Sequence, residues 1–205
     1  MPKRVDHDGR RREIADAILR VIADQGVAGA TFRVVAEASK WSTGVLSHYF
    51  RNRDDMLLEA LRRAGELAGD AQKGIGASMR GRDAVLAILE EELPLDSRRI
   101  ALTRIFVFFY AEAVADPAVL AEIDGYLERW RRQTEIALRA AQHEGDVDAD
   151  IDPRTVAAQL VALTDGLSIH AIFNERLLAQ LREGNVLRPV IERLAAPASD
   201  RAAPR

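Results

Sequence analysis

The chain of 205 residues contains no cysteine. Disulfides and thiolate metal sites are therefore excluded, and a reducing cytosol is the expected compartment. Aromatic residues are few, and the most apolar run, Ile105 to Ala111, is far shorter than the roughly 18 residues that a membrane span needs. No apolar stretch of secretory type follows the basic N-terminus. These absences predict a soluble, cytoplasmic protein with no membrane partner.

The composition is that of a globular protein, with 48% hydrophobic and 30% charged residues. The net charge is −3, but the basic and acidic residues are unevenly distributed along the chain. Residues 1–63 carry 12 Lys and Arg against 9 Asp and Glu, a balance of +3, which leaves −6 for residues 64–205. Such an asymmetry is expected where only the N-terminal part meets phosphates.

Apolar residues recur with the helical period of 3.6 throughout, and no alternating strand pattern appears. The pattern predicts an all-α fold of nine helices. The first ends at Gly26, the second opens at Thr31, the third runs from Ser42 to Tyr49 and Asn52 caps the fourth; the others are 82–93, 97–115, 117–144, 153–176 and 186–196. Glycines between Gly65 and Gly81 predict a linker after the fourth helix.

The helices divide the chain into an N-terminal domain, residues 1–66, and a larger domain, residues 67–196. A disordered tail, residues 197–205, follows. Within the first domain, two short helices joined by three or four residues, with a third before them, predict a helix-turn-helix unit.

The second helix of this unit has short side chains where a supporting helix would have long ones. It presents Thr43, Gly44, Val45, Ser47 and His48, and such small groups let a helix backbone approach base edges. Groups suited to phosphate surround it, namely Thr31, Arg33, Lys40, Ser42, Tyr49, Arg51 and Arg53. Taken singly, Thr31 and Ser42 are better explained as helix caps, and the arginines as a solvated face. Their convergence on one short stretch favours DNA binding.

The stretch resembles the helix-turn-helix of TetR-family transcriptional regulators, through Thr31, Ala36, Ser42, Gly44, Leu46, His48, Phe50 and Arg53. The similarity is greatest to the BetI-like branch of the family. It lies in the segments STGVLSHYF, LPLD, FFYAEAVADPAVL and DIDPRTVAAQLVALTDGL. The resemblance implies a recognition helix in the major groove, with Thr43, Gly44, Val45, Ser47 and His48 facing bases and Thr31, Ser42, Tyr49 and Arg53 facing phosphates. Lys40 and Trp41 depart from the pattern, which usually has Gly and then a small aliphatic residue in the turn.

The same resemblance implies an inducer pocket in the larger domain. Its predicted lining combines aromatic and small polar side chains: Thr103, Phe106, Phe109, Tyr110, Tyr126, Trp130, Gln133, Thr134, Thr164 and His170. Such a lining suits a small organic ligand, either lipophilic or cationic. Aromatics at helical spacing belong to a core more often than to a pocket, and for His170 an interface or core role ranks level with a ligand role. With no catalytic motif, and with His143 and His170 on different helices, we expect no enzyme, cofactor or metal.

The eighth predicted helix carries a stripe of small residues, Ala157, Ala158, Ala162 and Gly166. With Val190, Ile191 and Leu194 of the ninth, it predicts a homodimer through a four-helix bundle. Two recognition helices held one duplex turn apart would read a near-palindromic operator in double-stranded DNA. Repression, with release by an inducer, follows from the resemblance alone. A helical enzyme or carrier, and an adaptor that binds another protein, are the alternatives.

Overall fold

A computed structural model describes residues 7–184 and 186–195, and these residues form ten helices. The helices are α1 (His7–Gly29), α2 (Phe32–Ser39), α3 (Thr43–Tyr49), α4 (Arg53–Ser78), α5 (Gly81–Glu91), α6 (Ser97–Ala113), α7 (Pro117–His143), α8 (Pro153–Ala171), α9 (Glu175–Arg182) and α10 (Arg188–Glu192). The all-α prediction is confirmed. The predicted tail, residues 197–205, lies outside the described residues. None of these helices combines the length and the apolar character of a membrane span.

Contacts divide the chain into two compact units. The first comprises Met1–Glu66 and Asp96–Ile123, and the second Leu67–Leu95 and Asp124–Arg205. The first unit thus takes up α6 in addition to the predicted N-terminal domain. The predicted domain boundaries therefore stay a prediction.

The first unit is organised around α1. Ile14, Ile18 and Ile22 lie one helical turn apart on α1 and are fully buried. The helix packs against α2 and α6, and α2 in turn contacts α3. As predicted, regular helix is interrupted at Gly26, where φ is 73° and ψ is 174°. The long α1 therefore carries the two short helices of the helix-turn-helix.

In the second unit, α5 contacts both α8 and α10, and α8 contacts α9. Asp152 caps α8 by accepting from the amides of Arg154 and Thr155, and Pro153 takes the first position of the helix. The start predicted from the Asp-Pro pair is confirmed.

Three predicted boundaries were wrong. Gly65, Gly69, Gly74 and Gly76 lie within α4, so the glycine-rich stretch is helical rather than a linker. The helix predicted over 153–176 ends at Ala171. A further helix, α9, was not predicted; it starts where the Asn174 side chain accepts from the amide of Leu177. The helix predicted over 186–196 shortens to Arg188–Glu192.

Lys40 closes α2 in the left-handed conformation, with φ 61° and ψ 24°. Among the described residues it is the only non-glycine residue with positive φ. The turn therefore has the left-handed backbone for which glycine is suited, and Lys40 adopts it although a Cβ disfavours this conformation. The next residue, Trp41, is covered by the guanidinium of Arg10, 5.1 Å from the ring centroid.

We predict that Lys40→Gly raises the free energy of unfolding by about 0.5–1 kcal/mol. Relief of the left-handed strain outweighs the added freedom of glycine in the unfolded chain. Urea denaturation followed by circular dichroism measures the change, and Lys40→Ala, which keeps the strain, is the matched control. A loss of stability in the glycine variant would contradict this explanation of the turn.

Candidate DNA-binding surface and ligand site

The two helices of the helix-turn-helix begin at side-chain caps. The hydroxyl of Thr31 accepts from the amide of Val34 at 3.4 Å, and that of Ser42 accepts from the amide of Val45 at 3.2 Å. Both caps are exposed. The capping role weighed for these residues is thus confirmed, and it leaves further amides at each helix start facing solvent.

Leu46 and Phe50 are buried, and they fix which side of α3 faces outward. Most of the predicted base-reading side chains lie on the other side: Thr43, Gly44, Ser47 and His48 are exposed, as are Thr31, Arg33 and Ser42 around them, while Val45 and Tyr49 are half-buried. The hydroxyl of Ser47 donates back to the carbonyl of Thr43 at 3.0 Å. The result is a short helix with an exposed face of small polar groups.

Gly44 has no structural need to be glycine. A Cβ added there would meet only the hydroxyl oxygen of Ser42, at an ordinary contact distance of 3.7 Å. Glycine within a helix costs roughly 0.5–1 kcal/mol relative to alanine. The chain accepts this cost in a seven-residue helix without an internal packing reason, which favours a partner that must approach α3 closely.

Tyr49 is held by two histidines at the edge of this face. Its hydroxyl lies 3.2 Å from Nδ1 of His7, at the start of α1, and its ring meets His48 edge-on with centroids 5.6 Å apart. These contacts orient a phenol hydroxyl beside the exposed face, where it is suited to a phosphate.

Arg53 has a role within the fold that the sequence did not reveal. Its Nε donates to the carbonyl of Ala30 at 3.0 Å, and one terminal nitrogen donates to the carbonyl of Val27 at 2.6 Å. The guanidinium therefore ties the start of α4 to the last turn of α1 and to Ala30, which follows that helix. The predicted contact of Arg53 with a phosphate stays a prediction. Two of its guanidinium nitrogens already donate to these carbonyls.

A reciprocal pair of hydrogen bonds forms the turn between α3 and α4. The Asn52 side chain accepts from the amide of Asp55 at 2.8 Å, and Asp55 accepts from the amide of Arg51 at 3.0 Å. The bond from the Arg51 amide holds the pKa of Asp55 below its usual value. Asp55 also lies in the first turn of α4, where the helix dipole favours its charge.

The predicted pocket residues fall into both units. Within the first unit, Phe106 and Phe109 are buried on α6, Tyr110 is half-buried with its ring centroid 6.4 Å from that of Phe106, and the Thr103 hydroxyl donates to the carbonyl of Arg99. The contact between Phe106 and Tyr110 forms an aromatic surface of α6.

Within the second unit, Tyr126 and Trp130 lie one turn apart on α7, with ring centroids 6.1 Å apart. Thr134 and Thr164 are fully buried, and each donates to a carbonyl of its own helix. Gln133 is half-buried, and His170 is exposed. The exposure of His170 favours its interface role over its pocket role.

Glu92, at the C-terminal end of α5, is a polar residue of this region that the sequence prediction missed. Its carboxylate accepts from the side-chain amide of Gln72 at 2.5 Å and from the hydroxyl of Tyr126 at 2.7 Å. Gln72 is only 2% exposed. A signal was present, because three consecutive glutamates end α5 where the helix dipole disfavours negative charge.

An exposed helix-turn-helix followed by a second, helical unit is the arrangement of a DNA-binding transcription regulator. Comparison with known families agrees: residues 14–60 match the model for bacterial regulatory proteins of the tetR family, and residues 81–196 match that for the C-terminal part of BetI-type transcriptional repressors. The chain belongs to the TetR family, with a C-terminal part of the BetI type. Such proteins are regulators and not enzymes.

Named relatives span most of the chain. It is 32% identical over 176 residues to the HTH-type transcriptional regulator PksA of Bacillus subtilis, covering 85% of this chain and 84% of that protein. It is 30% identical over 170 residues to the regulator BetI of Rhizobium meliloti, covering 82% and 81%.

Solved structures share the fold. A protein of Saccharomonospora viridis, described as a transcriptional regulator and crystallised in complex with choline, has a TM-score of 0.79 and 25% identity, covering 93% of this chain and all of that one. A TetR regulator of Haloarcula marismortui has a TM-score of 0.75 at 20% identity, covering 92% and 99%.

The turn before α4 should make stability depend on pH. Because the pKa of Asp55 is lowered by folding, its ionised form stabilises the fold above the unfolded pKa, and this contribution is lost as the pH falls through the folded value. We predict that Asp55→Asn lowers the free energy of unfolding by about 0.5–1 kcal/mol at neutral pH.

The difference between wild type and Asp55→Asn should vanish in acid, below the pH at which Asp55 is protonated. Urea denaturation from pH 7 down to pH ~2 measures it. Asp54→Asn removes an exposed carboxylate from the same turn and is expected to have a smaller effect. A difference that persists in acid would show that the ionised form is not what matters.

Proposed function

We propose that the chain is a homodimeric repressor that binds a near-palindromic operator in double-stranded DNA and is released from it by a small organic inducer. The exposed face of small polar groups on α3, centred on Gly44, carries this proposal. Thr43, Gly44, Val45, Ser47 and His48 would face base edges, while Thr31, Arg33, Ser42, Tyr49 and Arg53 would contact phosphates. Operator binding places the protein in the cytoplasm as part of the same proposal.

The inducer would bind in the second unit, where Tyr126 and Trp130 combine with buried hydroxyls and the carboxylate of Glu92. A lipophilic and a cationic ligand both suit aromatic walls, but a carboxylate favours a cation. The choline complex of the Saccharomonospora viridis protein supports the cationic class. The predicted pocket residues of α6, Tyr110 among them, stay a prediction of their own within the first unit.

The dimer would form through the outward face of α8. Ala158, Ala162, Leu163 and the turn residue Phe173 are exposed, and an added Cβ at Gly166 would meet nothing within 4 Å. Phe173, two residues after the end of α8, is 75% exposed, so a large apolar side chain is available to a partner there. A second copy of the chain, related by a two-fold axis, fits a stripe of small residues flanked by apolar ones.

Two parts of the predicted bundle are revised. Ala157 and Ile191 are buried within their own chain, so neither is available to a partner. The ninth predicted helix corresponds to α10, which has only five residues. We therefore assign the second element of the interface to α9, which begins two residues after Phe173. Val190, within α10, and Leu194, two residues after it, are half-buried.

Gly44→Leu tests the DNA surface. We expect the variant to be at least as stable as wild type and to bind operator DNA about tenfold or more weakly, because the added side chain keeps the backbone from the base edges. Fluorescence anisotropy with the DNA upstream of the protein's own gene measures affinity. Binding by wild type should weaken steeply as salt rises, since phosphate contacts release counterions.

Gly74→Leu is the matched control, because Gly74 is an exposed helical glycine with free space around its Cα. Its operator affinity should equal that of wild type. Equal affinity of the Gly44 variant would contradict the docking of α3. Binding that is insensitive to salt would instead favour the adaptor function.

Phe173→Asp tests the dimer. A carboxylate on the apolar face opposes burial against its two-fold mate, so sedimentation velocity should show a monomer where wild type is a dimer. Operator affinity should fall together with dimerisation. Val114→Asp, at a side chain that is 90% exposed, is the matched control. A Phe173 variant that remains dimeric would rule out this interface.

A further inference from the structure

The turn between α2 and α3 is built around a residue in the left-handed conformation. The main-chain amide of Lys40 donates to the carbonyl of Glu37 at 3.3 Å, and that of Trp41 donates to the carbonyl of Ala36 at 3.1 Å. These two bonds close a helix as a Schellman motif, which requires positive φ where the chain leaves the helix. Glycine adopts this conformation freely, whereas a side chain is disfavoured there. The hydrogen bonds of the turn therefore explain the backbone at residue 40 but not its lysine side chain.

The side chain of Lys40 carries an unpaired charge. It is exposed, and among the described residues its ammonium has no hydrogen bond or ion pair, not even with the exposed Glu37. By contrast, Arg11, Arg62 and Arg63 of the same unit each pair with a carboxylate, at 2.8, 2.6 and 2.7 Å. Backbone strain without an internal structural reason is concentrated at functional sites. The lysine is therefore a candidate for contact with a partner outside the chain.

A second cation lies at the same turn. The guanidinium of Arg10, the fourth residue of α1, lies over the ring of Trp41 at 5.1 Å from its centroid. In the part of the chain that the structure describes, Arg10 has no carboxylate within ion-pair distance. Trp41 directly precedes Ser42, which caps α3, and the exposed Thr43 follows. Two cations without a carboxylate partner therefore border the exposed face of α3.

We propose that Lys40 binds a backbone phosphate of operator DNA, and that the strained turn is retained because it carries a lysine at the edge of the DNA surface. This inference rests on the proposed function, to whose phosphate contacts it adds one. Arg10 is a positioning residue, since its guanidinium covers the ring of Trp41 and adds positive charge at the turn. Glycine at position 40 would favour the fold, whereas lysine there favours binding.

Lys40→Gly separates these two effects, because it relieves the strain and removes the charge. The variant should be more stable than wild type in urea and yet bind the upstream DNA about tenfold more weakly in fluorescence anisotropy. Misfolding cannot produce that combination. Lys40→Gln, which keeps a side chain in the left-handed conformation, should lose the same affinity. Lys40→Arg keeps the charge and should stay within about twofold of wild type.

The salt dependence identifies the contact as one to phosphate. One contact from each protomer of a dimer contributes a slope of about 2 to log Kd against log salt, so the slope should fall by that amount in Lys40→Gln. Because phosphates carry no sequence information, the same loss should appear on a duplex of unrelated sequence at low salt. Lys73→Gln, at a lysine of α4 that is 67% exposed, is the matched control and should change neither slope nor affinity.

Chemical footprinting tests the contact directly in the unaltered protein. The sequence has only three lysines, Lys3, Lys40 and Lys73, so acetylation by an N-hydroxysuccinimide ester can be followed residue by residue with mass spectrometry. Bound DNA should slow the acetylation of Lys40 and leave that of Lys73 unchanged.

Wild-type affinity of Lys40→Gln, an unaltered salt slope, or acetylation of Lys40 that bound DNA does not slow would overturn the inference. A loss confined to Lys40→Gly would also overturn it, because the backbone rather than the charge would then matter. Failure of the proposed function is distinguishable from these results, since wild type would bind neither duplex, and the inference would fall with it.

Discussion

The burial of Leu46 and Phe50 is the constraint on which the rest of the molecule depends. A helix of seven residues is not stable by itself in water, so α3 exists only because its apolar side is held against the fold. The cap from Ser42 at one end and the tie from Arg53 beyond the other restrict it further. Because one side is fixed inward, the opposite side is presented outward as a rigid surface of small groups.

Local patterns predicted most of this unit. The period of 3.6 identified the helices, and Thr31, Ser42 and Asn52 marked their starts, because capping depends on residues only two or three positions apart. The structural contacts of Arg53 could not be predicted from such local patterns. Its acceptors are the carbonyls of Val27 and Ala30, more than 20 residues earlier, and no local pattern encodes a bond over that separation. The residue was predicted from its charge, and charge does not say which partner a side chain has.

The errors in the second unit have the same origin. Intrinsic propensity places glycines outside helices, and yet α4 continues through Gly69, Gly74 and Gly76 because neighbouring residues such as Ala68 and Gln72 are buried there. Tertiary contacts outweighed propensity. The aromatic residues of α7 were predicted for the pocket from residue type alone. Glu92, which is bonded to Tyr126, was not, although three glutamates at a helix C-terminus conflict with the dipole. Such local conflicts are expected at functional sites.

The glycines of α4 also affect what stabilises the second half of this helix. Each glycine lowers intrinsic helix stability by about 1 kcal/mol relative to alanine, so the second half of α4 depends on tertiary contacts more than its first half does. Gln72 provides one of those contacts through Glu92. It lies 19 positions after Arg53, which corresponds to roughly 28 Å of helix. The second half of α4 is therefore held in place by side-chain contacts, such as that between Gln72 and Glu92, more than by its own helix propensity.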